Sequence, residues 1–143
     1  MNSPRSLLLD THAAIWLMEG QLSGAVMEKL VFAGLADGVF VSPITAWEVG
    51  LLARPRTDGR PSLQFRPDPL AWFSTLMSKP VIRLAHLTVE IAIKSSDLPP
   101  PFHSDPADRL LVATAREMNL TLLTRDKNIL AYGEVGHVAV EPC

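Results

Sequence analysis

Four carboxylates stand where the chain passes between an apolar run and helical spacing: Asp10 in LLLDTH, Glu48 in SPITAWEVGLL, Asp108 in DPADRLLVATA and Asp126 in LTLLTRDKN. No matching set of Lys or Arg accompanies them. If the apolar runs are parallel strands, acids at their carboxyl ends converge on one rim of the sheet. Carboxylates gathered in a low-dielectric pocket repel one another unless a cation is bound. An all-oxygen set of this kind is what a hard divalent cation, Mg²⁺ or Mn²⁺, requires.

Each acid also has a structural explanation. Asp10 caps a helix that begins at Thr11 or His12. Glu48 follows Thr45 at a capping-box spacing, although a start at Ser42-Pro43 places it deeper in the helix. Asp105-Pro106-Ala107-Asp108 suits the N-cap, N1 and N3 positions, where acids favour the positive end of the helix dipole. Asp126 suits an Asx-turn after Thr124. Capping does not explain why LLLD sets its acid directly against an apolar strand, or why Glu48 sits between Trp47 and Val49.

The elements that must position these acids follow from the pattern. SLLLD reads as a buried strand, and THAAIWLMEG changes to helical spacing, with Ala13, Trp16 and Leu17 on one face and Gly20 closing it. A second helix runs from Ser23 to the Gly34–Gly38 region. VFVS is the next strand, and Ser42-Pro43 starts the helix that carries Glu48. Residues 54–69 hold Arg54, Arg56, Arg60 and Arg66 among several prolines, predicting an irregular, partly mobile excursion. Helix resumes near Asp68, VIRLA is a third strand, and LTVEIAIKSSDL is a short helix. After Pro99-Pro100-Pro101, Ser104 or Asp105 caps the longest helix, to about Met118; LTLLT and HVAVE are the last two strands. Strands alternating with helices predict an α/β fold with a mostly parallel sheet covered on both faces.

Composition bounds the rest. The chain has 143 residues, 48% hydrophobic and 20% charged, which fits a single unit spanning 1–143 with a sizeable core. The net charge of −2 lacks the basic excess of a protein that binds nucleic acid by neutralising phosphates, so basic residues for RNA must be local or come from a second subunit. The lone cysteine, Cys143, leaves no intrachain disulfide and no CxxC site, consistent with a cytoplasmic location. No signal-peptide core and no membrane-spanning run is evident. Phosphate loops of the GxxxxGK[ST] or GxGxxG kind are missing, which places ATPases and dinucleotide enzymes low.

LLLDTHAAIWL, ITAWEVGLL, DPADRLLVATAREMNLTLLTRD and KNILAYG together resemble the PIN-domain ribonucleases, most closely the toxins of VapBC-type toxin–antitoxin pairs, over nearly the whole chain. The resemblance implies a three-layer α/β/α sandwich around a five-stranded sheet. It implies that Asp10, Glu48, Asp108 and Asp126 are both the metal-binding and the catalytic acids. Asp105 is then an extra acid behind them, and Thr11 and Thr124 hydrogen-bond the cluster or its waters. The reaction expected is metal-dependent RNA hydrolysis, with Mg²⁺ or Mn²⁺ held by Asp10 and Asp108 and assisted, directly or through water, by Glu48 and Asp126. Whether one ion or two take part is left open. Arg109, Arg125 and Lys127 are the nearby cations for RNA, with the arginine loop as a further contact. A cognate antitoxin is expected in an apolar groove near Trp16, Leu17 and Val26, and homodimerisation would join two thin basic surfaces.

Two other functions fit parts of the pattern. A phosphatase or phosphoacceptor domain would use Asp10 as nucleophile, although His12 stands where a second Asp is common and no partner lysine follows a strand. A non-catalytic binding module would use the Trp- and Met-bearing helices, but has no need to gather like charges. The four histidines lack the spacing of a zinc site, and Trp16, Trp47 and Trp72 read as core or subunit interface rather than base-stacking platforms.

Overall fold

The computed structural model describes residues 3–143. Five strands, β1 (Ser6–Leu9), β2 (Gly38–Val41), β3 (Ile82–Leu84), β4 (Thr121–Thr124) and β5 (Val140–Pro142), form one sheet in the order β3-β2-β1-β4-β5. Every pairing is parallel, with Leu8 flanked by Phe40 on one side and Leu122 on the other. The expected mostly parallel sheet is therefore parallel throughout its described strands.

β1 takes the centre because SLLL offers apolar side chains to both faces. Successive residues alternate across a strand, and the core divides accordingly. Leu7 and Leu9 join Val39, Val41 and Leu123 beneath Ala13 and Ala14 of α1 (Thr11–Glu19), Leu30 and Ala33 of α2 (Gly24–Leu35) and Leu76 of α4 (Pro69–Met77). Leu8 and Leu122 face the other way, against Ile91 of α5 (Val89–Ser95), Leu111 and Val112 of α6 (Pro106–Met118) and Ile129 of α7 (Lys127–Glu134). Two helical layers thus enclose the sheet. Full burial of one such leucine contributes on the order of 2 kcal/mol.

The first of the two helices between β2 and β3, α3 (Pro43–Leu52), touches α1, α4 and α6. Its Val49 packs with Ile15 and Phe65 in a smaller cluster shared with Trp72. Ser42 caps it by accepting from the Ile44 N–H at 3.0 Å, with Pro43 in the first turn, as the sequence predicts. Gly20 ends α1 at φ 69°, a left-handed conformation that glycine adopts without steric cost.

Three features depart from the sequence-based expectation or refine it. Residues 53–68 are irregular as expected, yet the segment is anchored: Phe65 is buried and meets the Trp72 ring edge-on at 5.0 Å, and the Leu63 N–H bonds the Leu52 carbonyl. A helix, α7, forms between the last two strands where none was foreseen. The final strand then begins at Val140 rather than His137, because the chain must first turn through Gly136 at φ 89°.

Candidate metal centre

The carboxyl ends of the strands open into a cleft of about 410 Å³ lined by Asp10, Thr11, His12, Trp16, Glu48, Asp105, Asp108, Leu111, Arg125 and Asp126. Each acid arrives by its own route. Asp10 immediately follows β1 and caps α1. Glu48 stands within α3, beyond β2, and is not part of a capping box. Asp105 caps α6 and Asp108 occupies its first turn. Asp126 lies just past β4 and caps α7. All four predicted acids and Asp105 therefore line one cleft, and Asp10, Asp105 and Asp126 are helix caps as well.

Hydroxyl groups wire one side of the cleft. Thr124, fully buried at the end of β4, donates to Asp10 Oδ2 at 2.5 Å, while the Ala13 N–H donates to Oδ1 at 2.7 Å. Thr124 also accepts from the Asp126 N–H at 3.0 Å, linking the two acids through a single hydroxyl. Buried Thr11 donates to Glu48 and lies 3.3 Å from the Thr45 hydroxyl. Asp126 Oδ1 accepts from the Asn128 and Ile129 N–H groups.

Charge accumulates accordingly. Burial pushes the Asp10 carboxyl above its ordinary range, opposed by its bonds from Thr124 and Ala13. Glu48 is raised as well, first by burial, with Thr11 acting against the shift. Asp108 is pushed up to about 7, first by burial and then by the charges of Asp105, Asp126, Glu48 and Asp10. A carboxyl so shifted holds its proton near neutrality unless positive charge arrives. Arg125 is the single Lys or Arg in the lining among the described residues, and its guanidinium lies 3.9 Å over the Trp16 ring, donating to the Cys143 carbonyl at 2.8 Å. The donor set, mostly carboxylate oxygen, fits a divalent cation.

The other predicted residues separate. Arg109 donates to the carbonyls of Ser95 and His103 at 2.8 and 3.3 Å, and neither it nor Lys127 lines the cleft. Trp16 borders the acids rather than an apolar groove, and Val26 is buried in the core. An apolar groove of about 250 Å³ is instead lined by Leu17, Met27, Leu30, Val31, Leu35 and Val81 among others. The four histidines, which lack the spacing of a zinc site, include His103, whose Nε2 lies 3.1 Å from Asp108 Oδ2. Its position two residues before Asp105 was the available signal.

The family model for the PIN domain matches residues 7–135. The chain belongs to the PIN-domain family. This PIN chain is 30% identical over 129 residues to Ribonuclease VapC22 of Mycobacterium tuberculosis (strain ATCC 25618 / H37Rv), spanning 89% of the chain and 92% of that relative. Its fold is similar to that in the crystal structure of VapBC2 from Rickettsia felis bound to a promoter DNA fragment, with a TM-score of 0.68 at 11% identity, covering 96% of this chain and 98% of that one. FitAcB from Neisseria gonorrhoeae gives a TM-score of 0.62 at 23% identity, covering 94% and 95%. At these identities the structural likeness speaks for the fold. Among the described residues of the PIN chain, no helix is long and apolar enough to cross a membrane.

Proposed function

We propose that this PIN chain is an Mg²⁺- or Mn²⁺-dependent endoribonuclease, the toxin of a toxin–antitoxin pair, acting as a single PIN unit over 1–143. The observation that carries the proposal is the cleft itself: Asp10, Glu48, Asp108 and Asp126, brought from four segments of the chain to the carboxyl rim of a parallel sheet, beside a single guanidinium. The similarity to a curated ribonuclease supports RNA as the substrate. Arg125 lines the cleft whereas Arg109 and Lys127 do not, which supports Arg125 as the phosphate contact; Arg109 and Lys127 would act only at the margin.

In this scheme Asp10, Glu48, Asp108 and Asp126 hold the cation and constitute the catalytic set. The cation, when bound, supplies Lewis acidity toward a phosphoryl oxygen and charge to activate an attacking water. The chain's part is preorganisation. Thr124 and the Ala13 N–H fix both Asp10 oxygens, and Thr11 fixes Glu48, so the ligands need little reordering. Asp108 must release its proton for the cation, and afterwards one of the acids can orient the attacking water or accept its proton. Asp105, exposed at the α6 cap, adds negative charge without a direct ligand role. Nucleophilic attack by Asp10, as a phosphatase would need, is disfavoured by hydrogen bonds on both of its oxygens and by a lining without lysine.

Antitoxin binding and homodimerisation belong to the same proposal. The VapBC and FitAcB neighbours support an antitoxin partner, and the groove between α1, α2 and β3 offers it an apolar seat. For a dimer, Trp47 and Leu51 on α3 and Val89 and Ile93 on α5 are exposed one helical turn apart. A reducing cytoplasm accords with the unpaired cysteine.

The experiment is cleavage of total RNA by the purified protein with Mn²⁺ or with EDTA, beside Asp10→Asn. Discrete cuts that need the metal and vanish in the variant are expected. Cutting that survives both EDTA and the substitution would sink the assignment.

A further inference from the structure

Beyond the four acids, we infer that His103 is a direct metal ligand, forming with Asp108 and Asp126 a mixed nitrogen–oxygen site that prefers Mn²⁺ to Mg²⁺. The inference rests on the metal-dependent site proposed above. One ligand atom from each of His103, Asp108 and Asp126 can be chosen so that all lie within 4.8 Å of one another. His103 Nε2 is 3.1 Å from Asp108 Oδ2, yet it is buried and has no hydrogen-bond partner among the described residues. A buried ring nitrogen that close to a carboxylate, without hydrogen-bond alignment, is an unusual arrangement for an ordinary ion pair. Two adjacent ligands on an octahedral ion, each about 2.1 Å from it, stand roughly 3 Å apart at right angles. The observed separation is of that size.

The ring is also held in place by contacts that have nothing to do with the acids. Its backbone carbonyl accepts from Arg109, and Phe102 meets the ring edge-on at 4.6 Å. Four residues upstream, the Pro99 carbonyl is bonded by the Tyr132 hydroxyl at 2.6 Å. The loop is therefore tied to α6 and α7 at two points, and the imidazole nitrogen is presented to Asp108 rather than to solvent. Neutral imidazole suits first-row transition ions, whereas Mg²⁺ favours oxygen and water. His12, which does line the cleft, is exposed and its ring lies 5.6 Å from that of Trp16, tilted by 44°, so it provides the natural control.

The test is pulsed EPR of Mn²⁺ bound to the purified protein, in which an imidazole ligand gives a nitrogen coupling, together with Mn²⁺ and Mg²⁺ titrations by calorimetry. We expect the coupling in the wild-type protein, its survival in His12→Gln and its loss in His103→Gln. Mn²⁺ affinity should fall about tenfold or more in His103→Gln, with Mg²⁺ affinity changed less than about twofold. Bound Mn²⁺ without nitrogen coupling in the wild-type protein overturns the inference while leaving the acid-only nuclease site intact, and that result needs no substituted protein. Coupling that persists in His103→Gln overturns it too. If Mn²⁺ does not bind at all, the metal-dependent function falls with it.

Discussion

The two halves of the cleft are built differently. On the Asp10 side, three hydroxyl or amide donors hold two acids: Thr124 and the Ala13 N–H on Asp10, and Thr11 on Glu48. On the Asp108 side, His103 is the one ion-pair partner of the carboxyl among the described residues, and burial, with the charges of four other acids, pushes it up to about 7. The first half is organised before any ligand arrives. The second is electrostatically frustrated and would be relieved by positive charge. A nuclease site needs both properties, because fixed ligands limit reorganisation while an unsatisfied acid makes cation binding favourable.

The largest expected effect comes from removing charge on the organised side. Asp10→Asn should lower metal-dependent RNA cleavage by more than about 100-fold, beyond the usual effect of losing a supporting hydrogen bond. Single-turnover cleavage at saturating Mn²⁺ measures it. Thr124→Val keeps the ligand and removes only its support; a loss of about 10–100-fold in metal affinity or activity is expected. The variant should also lose about 1–3 kcal/mol of stability in denaturant unfolding, because a buried acceptor and the Asp126 N–H lose their partner. If Thr124→Val matches wild type in both measurements, the hydroxyl does not organise the site.

The frustrated half predicts the opposite sign. Asp108 binds its proton more tightly folded than unfolded, so the metal-free protein binds more protons when native between about pH 4 and pH 7. This contribution to stability is present below the unfolded pKa and is lost as pH rises through the folded value of about 7. Melting temperature in EDTA should therefore show a declining contribution across that window, and added Mn²⁺ should raise it more at pH 8 than at pH 5. Asp108→Asn should lower cleavage too, by less than Asp10→Asn, yet stabilise the metal-free protein at pH 8, by about 1 kcal/mol or less once solvent screening is counted. Destabilisation by Asp108→Asn under those conditions would erase the distinction between the halves.

The smallest effect concerns the cation at the cleft edge. Arg125→Gln removes the guanidinium from the Trp16 face, where such a contact is worth about 0.5–1 kcal/mol. Its larger consequence should be a weaker salt dependence of RNA binding, by about one phosphate contact. A slope unchanged from wild type would remove Arg125 from the RNA path.

Much of this was legible before folding was considered. The caps at Ser42-Pro43 and Asp105-Pro106, the strand SLLL and the glycine stop at Gly20 act through neighbours within a turn, so local sequence suffices to find them. α7 was not recognised because KNILAYGE is only eight residues and contains a glycine, and Asp126 was read as a turn rather than a cap. Gly133 is nevertheless suited to that helix, since a Cβ there would collide with Val140 of β5. That requirement belongs to a packed neighbour and leaves no local trace. Similarly, Arg109 looks available for RNA in the sequence, but it is bonded to the carbonyls of Ser95, at the end of α5, and of His103 in the loop before α6.

By itself, the sequence determined which acids exist, which of them adjoin apolar strands and where most helices begin, because propensity, periodicity and capping are short-range effects. Only the tertiary structure decided that Thr124 serves Asp10 from 114 residues away, that Thr11 serves Glu48 and that His103 turns its nitrogen toward Asp108. Those meetings depend on β4 lying beside β1 and on a proline-rich loop tied back to Tyr132. Distances between side chains remote in sequence are fixed by strand order and by the packing of both core layers, which the spacing of residues along the chain does not encode.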